Sequence, residues 1–227
     1  MAFTIKSLPQ LRAGRNRLFL CRHGETEDNA RKLLQGGGSN PSLNEKGKDQ
    51  ATQLARCLRE FRLDFVASST LARAIETADA VAAAQPAGGS AHRQNLAELV
   101  EMHYGSLEGR PMSECKDELR ALSSDWTAGN THVPVADGES PETLLERGQA
   151  ALRRLLRSDS DGHQIACVAH SNLNKAILAS ATGKGLGALF TIPQDNACIN
   201  VLDYVLQDES FEVLAVNISP VTGITHL

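Results

Sequence analysis

The sequence predicts an α/β fold: a three-layer α/β/α sandwich around a mixed, mainly parallel sheet. Short apolar runs alternate along the chain with longer segments in which apolar residues recur at helical spacing, an order typical of strands joined by helices. Two of the runs, at 18–21 and 165–169, are continuous, which is typical of strands buried on both faces of a parallel sheet. A chain of 227 residues fits one such domain.

The first half of the chain is predicted to contain three strands and two helices. In order, the predicted elements are strand 17–21, helix 44–61, strand 64–68, helix 70–84 and strand 93–97. The first helix carries Ala51, Leu54 and Leu58 on one face, a spacing that indicates packing against a sheet.

The second half begins with the least regular segment, 99–138, which is rich in Gly and Pro. This segment is expected to form a wall or lid over a site, with one helix near 111–123. Ser140 and Pro141 then combine a helix N-cap with a proline at the first helical position, so a helix is predicted up to about residue 157. The remaining predicted elements are strand 165–169, helix 172–182 and strands 197–206 and 210–218.

The N-terminal segment, residues 1–16, is predicted to be a flexible arm ahead of a single domain over 17–227. The N-terminus carries Lys6, Arg12, Arg15 and Arg17, and no acidic residue occurs before Glu25. That composition leaves an organellar targeting segment as the alternative to a simple arm.

The overall composition argues against several classes of protein. A formal net charge of −4 provides no global positive field for nucleic acid or an anionic membrane surface. No apolar run approaches the roughly 20 residues that span a bilayer. The five cysteines are scattered without a Cys-x-x-Cys pair, which indicates reduced structural thiols and a cytoplasmic location.

Each continuous apolar run is followed by a histidine, His23 after the first and His170 after the second. Ligands of open α/β sheets bind at the carboxyl ends of strands, so neighbouring strands would bring both imidazoles into one pocket beside Arg22. Two imidazoles and a guanidinium suit a phosphoryl group, because the planar guanidinium can hold two of its oxygens. Gly24 is expected to let the backbone approach a ligand closely.

Four motifs in this chain resemble those of the histidine phosphatase superfamily, the phosphoglycerate mutase-like proteins. In order they are RHGET at 22–26, SSTLARAIETA at 68–78, EMHYGSLEG at 101–109 and VAHSN at 168–172. Asn29 and Gln35 follow the first motif at positions that also fit the family pattern. Because all four motifs occur in family order, the chain is identified as a member of this superfamily with a phosphoglycerate mutase-like fold.

The resemblance implies a role for each of five residues. His23 takes the phosphoryl group and becomes a phosphohistidine, which requires its far ring nitrogen to be held by a backbone hydrogen bond. Arg22, Arg73 and His170 bind the non-bridging oxygens, and two arginines with a cationic histidine supply the charge that phosphoryl transfer needs. Glu101 donates a proton to the leaving alkoxide and later activates water.

Seven further residues are expected to contact the substrate; they are Gly24, Asn29, Gln35, His103, Tyr104, Ser171 and Asn172. A purely structural place in a loop is the alternative for Asn29 and Gln35, and core packing is the alternative for His103 and Tyr104. The chain also departs from many relatives, which carry Asp at the position of Asn40 and two glycines in place of Ser171 and Asn172.

Three other hydrolytic chemistries lack their motifs in this sequence. No cysteine is followed six positions later by arginine, as the loop of a cysteine-based phosphatase requires. No His-x-His or His-Glu-x-x-His pattern provides metal ligands, and no Gly-rich loop ends in Lys-Ser/Thr. The sequence therefore predicts an enzyme that uses neither a metal nor a cofactor.

Within the superfamily, the length of the covering segment separates phosphatases from mutases. Roughly 30 residues separate Gly109 from Ser140, whereas the mutases carry a longer insertion that excludes water from the phosphorylated intermediate. The short cover favours water as acceptor, hence a phosphomonoesterase acting on a small-molecule phosphomonoester. The alternatives are a cofactor-dependent phosphoglycerate mutase and a module that binds phosphorylated ligands without turnover. The sequence predicts neither the physiological substrate nor the oligomeric state.

Overall fold

The first continuous apolar run forms a central strand, β1 (Arg15–Arg22). The computed structural model describes residues 4–86, 91–157, 161–223 and 225. Alternate residues of β1 belong to two different apolar clusters, Leu18 and Leu20 to one and Phe19 and Cys21 to the other. A strand that is buried on both faces needs a layer of helices on each side. The predicted three-layer sandwich is therefore confirmed.

The sheet of the described residues has six strands. The other five are β2 (Phe65–Ser69), β3 (His92–Leu96), β4 (Gln164–Ala169), β5 (Ile199–Val205) and β6 (Ser210–Ile218). They are arranged in the order β3-β2-β4-β1-β5-β6. The strands β1 to β4 are parallel to their neighbours in this group, whereas β5 runs antiparallel to both β1 and β6. The sheet is mixed and mainly parallel, as predicted.

Helices cover both faces of this sheet. In the described ranges they are α1 (Glu27–Ala30), α2 (Glu45–Leu58), α3 (Ala72–Ala83), α4 (Lys116–Thr127), α5 (Pro141–Leu156) and α6 (Ser171–Ala181). Leu54 of α2 and Val81 of α3 belong to the cluster on one face, and Leu152 of α5 and Ile177 of α6 belong to the cluster on the other. Ser140 caps α5 through its side chain, as predicted.

Two helices depart from the sequence predictions. The helix α4 begins at Lys116 rather than near 111, because Pro111 pairs with Leu33 in an isolated bridge and is held in extended structure. The helix α1 is absent from the predictions, since four residues are too few to show a helical period. The bridge between Leu33 and Pro111 holds the backbone of the segment 26–35 against the segment that begins at Pro111.

The N-terminal segment joins the domain earlier than expected. The strand β1 begins at Arg15, so the predicted boundary between arm and domain lies inside a strand and is two residues too late. Asn16 is buried and donates a hydrogen bond to the Leu156 carbonyl at 2.9 Å, and Ile5 is buried in the apolar cluster beside α2. The flexibility of the remaining arm and the targeting alternative stay predictions.

The cysteines belong to the apolar interior rather than to cross-links. All five lie in the described ranges, four are buried, Cys57 is half-buried, and none forms a disulfide. Burial is the largest cause that raises the pKa of the Cys167 thiol, to about 12, so this group stays protonated and packs as a small apolar side chain. Across the described residues, no helix is long and apolar enough to cross a bilayer.

Candidate active site

The two histidines meet at the carboxyl ends of adjacent strands. The strands β1 and β4 pair in parallel with Arg22 opposite Ala169, and the N–H of His23 donates to the Ala169 carbonyl at 3.1 Å. The ring centroids of His23 and His170 are consequently 5.0 Å apart. The expectation that these strands are neighbours and bring both imidazoles into one site is confirmed.

His23 is held in one tautomer by the backbone. Its Nδ1 lies 2.7 Å from the Gly24 carbonyl oxygen, which requires the hydrogen on Nδ1 and leaves a lone pair on Nε2. Arg73 Nε donates to that Nε2 at 3.3 Å. Burial, followed by the charges of Arg73 and Arg22, lowers the pKa of His23 well below its usual value of 6.5. The imidazole is therefore a neutral, oriented base at neutral pH.

His170 is also neutral in this state, which corrects the expectation of a cationic histidine. Its Nε2 lies 2.7 Å from Ser69 Oγ, at the end of β2, and the two share a hydrogen bond. Burial is the main reason that the pKa of His170 lies well below 6.5, and the positive charge of the nearby Arg73 lowers this pKa further. Among the described side chains, the Nδ1 of His170 is one of the buried polar atoms without a hydrogen-bond partner.

Two guanidinium groups carry the positive charge of the site. Arg73 lies near the N-terminus of α3, is fully buried, and donates to the carbonyls of Ser39 at 2.8 Å and Gly36 at 3.2 Å. Burial lowers the pKa of Arg73 to about 10, so it stays charged at neutral pH. Arg22 donates to the Gln194 carbonyl at 2.6 Å, and its buried Nε lacks a partner. A protein of net charge −4 thus keeps a local cationic cluster.

The carboxyl group of Glu101 lies at the N-terminus of α6, beside the histidines. It is buried and accepts backbone N–H groups from Met102 at 2.9 Å, Asn172 at 3.2 Å and Leu173 at 3.3 Å. Such donors at a helix N-terminus suit an acidic side chain. The Asn172 side chain in turn donates to the Tyr104 hydroxyl, so that α6 and the segment around Glu101 are joined by two sets of hydrogen bonds.

Arg147 of α5 anchors the segment that carries Glu101. Its guanidinium donates to the backbone carbonyls of Glu98, Val100 and Glu101 at 2.7, 2.8 and 3.0 Å. It also forms two hydrogen bonds with the Glu139 carboxylate, at 2.7 and 2.8 Å. The position of the Glu101 backbone therefore depends on a side chain of α5, the helix that follows the covering segment.

Arg22 and Glu101 line a cavity of about 220 Å³, whereas His23, Arg73 and His170 are not among its lining residues. Its polar end is formed by Arg22, Asn29, Gln35, Glu101, Ser171 and Asn172. Its other side, called here the apolar wall, consists of Leu33, Leu34, Met102, Met112, Leu119, Trp126 and Phe190. The segment 99–138 supplies six of the residues that line the cavity, so the predicted wall over the site is confirmed. A larger hollow of about 650 Å³, near the amino ends of β1 and β4, contains none of the site groups.

The predicted substrate contacts divide into two groups. Five of the seven line the cavity; they are Asn29, Gln35, Tyr104, Ser171 and Asn172. The Asn29 amide donates to the Gln35 side chain at 3.3 Å, and the Gln35 amide donates to Thr26 Oγ1 at 3.0 Å. These two residues therefore keep each other in place at the polar end, and their contact with substrate stays a prediction.

The structure does not bring Gly24 and His103 to the cavity lining. A Cβ on Gly24 would lie 2.4 Å from the Gly47 carbonyl oxygen, so the glycine is required by the approach of α2 and its contact with a ligand stays a prediction. The expectation that His103 lines the same wall as Tyr104 is wrong. His103 has 48% of its side chain exposed and lies over Gly37, on the outer side of the segment, while Tyr104 turns inward to Asn172.

Several residues of the site are absent from the sequence predictions. Ser69 and Gln194 contact His170 and Arg22, and both could have been found from strand ends, since Ser69 ends β2 and Gln194 precedes the antiparallel β5 at the same edge. Phe190 and Lys175 carry no such signal. The ring of Phe190 stacks on Trp126 with centroids 5.4 Å apart, a contact between distant parts of the chain.

A metal is not provided for by the side chains of this site. In the ranges that the structure describes, no group of three or more His, Cys, Asp or Glu side chains is placed to hold a metal ion. The groups that converge here are instead two guanidiniums, two imidazoles and one carboxyl group. This combination suits an oxyanion together with a proton donor.

Comparison with known proteins agrees with this geometry. The family model described as histidine phosphatase superfamily (branch 1) matches residues 18–219. The 2-carboxy-D-arabinitol-1-phosphatase of Triticum aestivum is 29% identical over 204 residues, which are 88% of this chain but 39% of that protein. A probable phosphoglycerate mutase GpmB of Salmonella arizonae is 29% identical over 187 residues, covering 82% of this chain and 84% of the relative.

A solved structure is similar over nearly the whole domain. Bacillus stearothermophilus YhfR superposes with a TM-score of 0.76 at 26% identity, over 91% of this chain and 99% of that one. The match of the family model extends from within β1 to the end of β6 and includes both histidines, both arginines and Glu101. The protein described here belongs to the histidine phosphatase superfamily.

Proposed function

We propose that the protein is a metal-independent phosphomonoesterase that works through a phosphohistidine on His23, with Glu101 as general acid and base. The observation that carries this proposal is the state of His23. Its Nδ1 hydrogen is bound by the Gly24 carbonyl, so the buried Nε2 keeps its lone pair beside Arg73. A neutral imidazole with one nitrogen fixed and the other free is suited to nucleophilic attack.

The first step forms the phosphoenzyme. The Nε2 of His23 attacks phosphorus, a P–N bond forms, and the P–O bond to the leaving group breaks. The departing oxygen takes the proton of Glu101, which leaves a carboxylate at the N-terminus of α6, where three backbone N–H groups receive it. Proton donation of this kind contributes about 10²- to 10⁴-fold to the rate.

The second step returns the enzyme to its starting state. A water molecule gives one proton to the Glu101 carboxylate while its oxygen attacks phosphorus, and the P–N bond breaks. Inorganic phosphate leaves, Nε2 of His23 regains its lone pair, and Glu101 is again protonated. Both His23 and Glu101 are thus back in the states in which they began the reaction.

The charge on the transferring group is balanced by the protein. Arg22 and Arg73 supply two positive charges, which favour a phosphoryl dianion and would repel a metal ion. Two of the buried polar atoms without partners among the described residues, Nδ1 of His170 and Nε of Arg22, belong to the same cluster and are suited to phosphoryl oxygens. These features support metal independence and the assignment of Arg22, Arg73 and His170 as oxygen-binding residues.

In this proposal the leaving group is a small-molecule alcohol or phenol. The names of the relatives suggest two different acceptors for the phosphoryl group, water in a phosphatase and a second hydroxyl group in a mutase. The relative from Triticum aestivum is named a phosphatase, whereas the relative from Salmonella arizonae is named a probable mutase. A phosphoglycerate mutase is therefore the second candidate. The short cover between Gly109 and Ser140 favours the phosphatase, because it gives water access to the phosphohistidine.

The test is phosphate release from p-nitrophenyl phosphate and a panel of metabolite monoesters in the presence of a chelator. Wild type is compared with His23→Ala and with His132→Ala, a control at an exposed histidine outside the cavity. We expect activity that survives the chelator and His132→Ala but is lost in His23→Ala. Activity that persists in His23→Ala contradicts the nucleophile. Activity that appears only with phosphoglycerate and a bisphosphoglycerate primer indicates the mutase, and binding without turnover indicates a phospho-ligand module.

The location proposed for this enzyme is the cytoplasm. Five cysteines without a disulfide support a reducing compartment. A fluorescent fusion of the full chain tests this location. Import into an organelle would instead favour the targeting role of the basic N-terminal segment.

A further inference from the structure

The side of the cavity away from the two histidines is poor in free hydrogen-bonding groups. The indole N–H of Trp126 donates to the Val133 carbonyl at 2.9 Å, and the Tyr104 hydroxyl accepts from the Asn172 side chain. The indole N–H is thus paired within the protein, and the Tyr104 oxygen already accepts one hydrogen bond. The apolar wall therefore presents mainly aromatic and aliphatic surface to whatever lies beyond the phosphoryl group.

Lys175 is a charged side chain in the lining of the same cavity. It lies on α6, four residues after Ser171 and three after Asn172, and therefore shares their helix face and lines the same cavity. In the part of the chain that the structure describes, the Lys175 ammonium has neither an ion pair nor a hydrogen bond. The nearby carboxyl group of Glu101 is already bound by backbone N–H groups and forms no ion pair with it.

The surroundings of Lys175 make its charge unfavourable without a partner. Burial is the main cause that lowers its pKa, Arg22 acts in the same direction, and Glu101 opposes them. A half-buried cation that lacks a partner gains most from an anion brought by a ligand. The two arginines are close to the histidines and are suited to the phosphoryl group, so Lys175 is free for a second anionic group.

We propose that this cavity binds a phosphomonoester whose leaving group is apolar and carries a second anionic group, which pairs with Lys175. The choice of the arginine end for the phosphoryl group rests on the proposed function. An aryl or alkyl body would contact the apolar wall, and its carboxylate or second phosphate would reach the ammonium. A polyol such as a sugar would leave hydroxyl groups without partners against the wall, which disfavours its binding.

The volume limits the enclosed part of such a ligand. A cavity of about 220 Å³ accommodates a phosphoryl group and roughly one aromatic ring, since a site of about 150 Å³ is enough for benzene. The cavity shares Met112, Leu119 and Phe190 with an outer groove of about 660 Å³, so a longer leaving group can continue toward solvent.

The test uses phosphonates, which bind but cannot be hydrolysed. Dissociation constants are measured by calorimetry for benzylphosphonate, 4-carboxybenzylphosphonate and 3,4-dihydroxybutylphosphonate. The proteins are wild type, Lys175→Met and the matched control Lys184→Met, an exposed lysine outside the cavity. Comparing two ligands within each protein cancels the general loss of one positive charge.

We expect the carboxyl group to improve binding roughly 10- to 100-fold in wild type and in Lys184→Met, and less than about threefold in Lys175→Met. We also expect benzylphosphonate to bind more tightly than the polyol in all three proteins. A carboxylate gain that survives Lys175→Met, or that is absent from wild type, overturns the role of Lys175. Equal binding of the polyol overturns the apolar part, and failure of all three ligands to bind overturns both.

These outcomes remain separate from those of the proposed function. Hydrolysis that depends on His23 is measured with p-nitrophenyl phosphate, whereas the phosphonate affinities need no turnover. Loss of the carboxylate preference in a protein that still hydrolyses p-nitrophenyl phosphate concerns only the leaving-group site. A normal preference in a protein without hydrolytic activity contradicts only the proposed reaction.

Discussion

Replacement of Arg147 by methionine is expected to affect both stability and catalysis, although its side chain touches none of the proposed reacting groups. The substitution leaves three carbonyl oxygens and the Glu139 carboxylate without their donor. Removing one partner of a buried ion pair costs about 3–5 kcal/mol. The side chains of Arg147 and Glu139 are 20% and 16% exposed, so water can partly replace the lost contacts. We therefore expect the free energy of unfolding to fall by about 3 kcal/mol.

Arg154 provides a control on the same helix. It pairs with the Glu98 carboxylate at 2.8 Å, but the two side chains are 56% and 40% exposed. An exposed pair of this kind contributes under about 1 kcal/mol. The free energies of unfolding of wild type, Arg147→Met and Arg154→Met are measured by urea denaturation. Equal losses in the two variants would refute the anchoring role of Arg147.

The catalytic consequence of Arg147→Met follows from the segment that it holds. If the Glu101 backbone moves, proton donation to a leaving alkoxide suffers, whereas p-nitrophenolate leaves without a proton. We expect kcat/KM, which reports phosphoenzyme formation, to fall about tenfold more on an alkyl phosphate than on p-nitrophenyl phosphate. A purely structural role would lower the fraction of folded protein and reduce both rates by the same factor.

Three further predictions concern the same site. Glu101→Gln keeps the shape of the side chain but removes its proton, so kcat/KM, which reports phosphoenzyme formation, should fall about 10²- to 10⁴-fold on an alkyl phosphate and far less on p-nitrophenyl phosphate; equal losses of kcat/KM contradict the acid role. The pKa values of His23 and His170 lie below 6.5 in the folded protein, so the unfolded chain binds more protons below that pH. Urea denaturation should therefore show stability falling from about pH 7.5 to about pH 5.5, less steeply in His170→Gln, and an unchanged slope in that variant refutes the assignment. Gly24→Ala places a methyl group 2.4 Å from the Gly47 carbonyl and should lower the free energy of unfolding by about 1–3 kcal/mol; a thermal melt that matches wild type contradicts this clash.

The local part of the site is readable from the sequence because strand ends and motifs are local patterns. His23 and His170 follow continuous apolar runs, and parallel pairing of those runs is enough to bring them together. Gly24 shows the limit of the same approach. A glycine beside a proposed nucleophile looks the same in the sequence whether its missing side chain makes room for a ligand or for neighbouring backbone. Here the space is taken by the backbone of Gly47.

The leaving-group side of the cavity is not readable in this way. Its wall requires Leu33, Met112, Trp126 and Phe190 to converge from four separate segments, and no local period encodes that convergence. His103 illustrates a related difficulty. Its outward orientation depends on which side of an extended segment faces the site, and the sequence alone does not fix that side.

The charge state of the site gives a last prediction, because it must change when an anion arrives. Without a ligand, burial and Arg73 keep His170 neutral, and its Nδ1 has no partner among the described residues. A dianion placed between Arg22 and Arg73 neutralises the charges that hold the pKa of His170 down and offers Nδ1 an acceptor. Both effects favour the protonated imidazole, so the cationic histidine expected from the sequence belongs to the complex rather than to the free protein.

Proton uptake on ligand binding measures this change. Tungstate is a suitable ligand, since it mimics phosphate but does not itself titrate near neutral pH. We expect calorimetry in buffers of different ionisation enthalpy to show uptake of a fraction of a proton, up to about one, near pH 7 in wild type and much less in His170→Gln. Ser69 Oγ can donate to an unprotonated Nε2 of His170 or, after its hydroxyl rotates, accept from the Nε2–H of the imidazolium, so Ser69→Ala should change the amount of uptake without abolishing it. Binding without uptake in wild type would mean that the arginines alone balance the anion and that His170 stays neutral throughout.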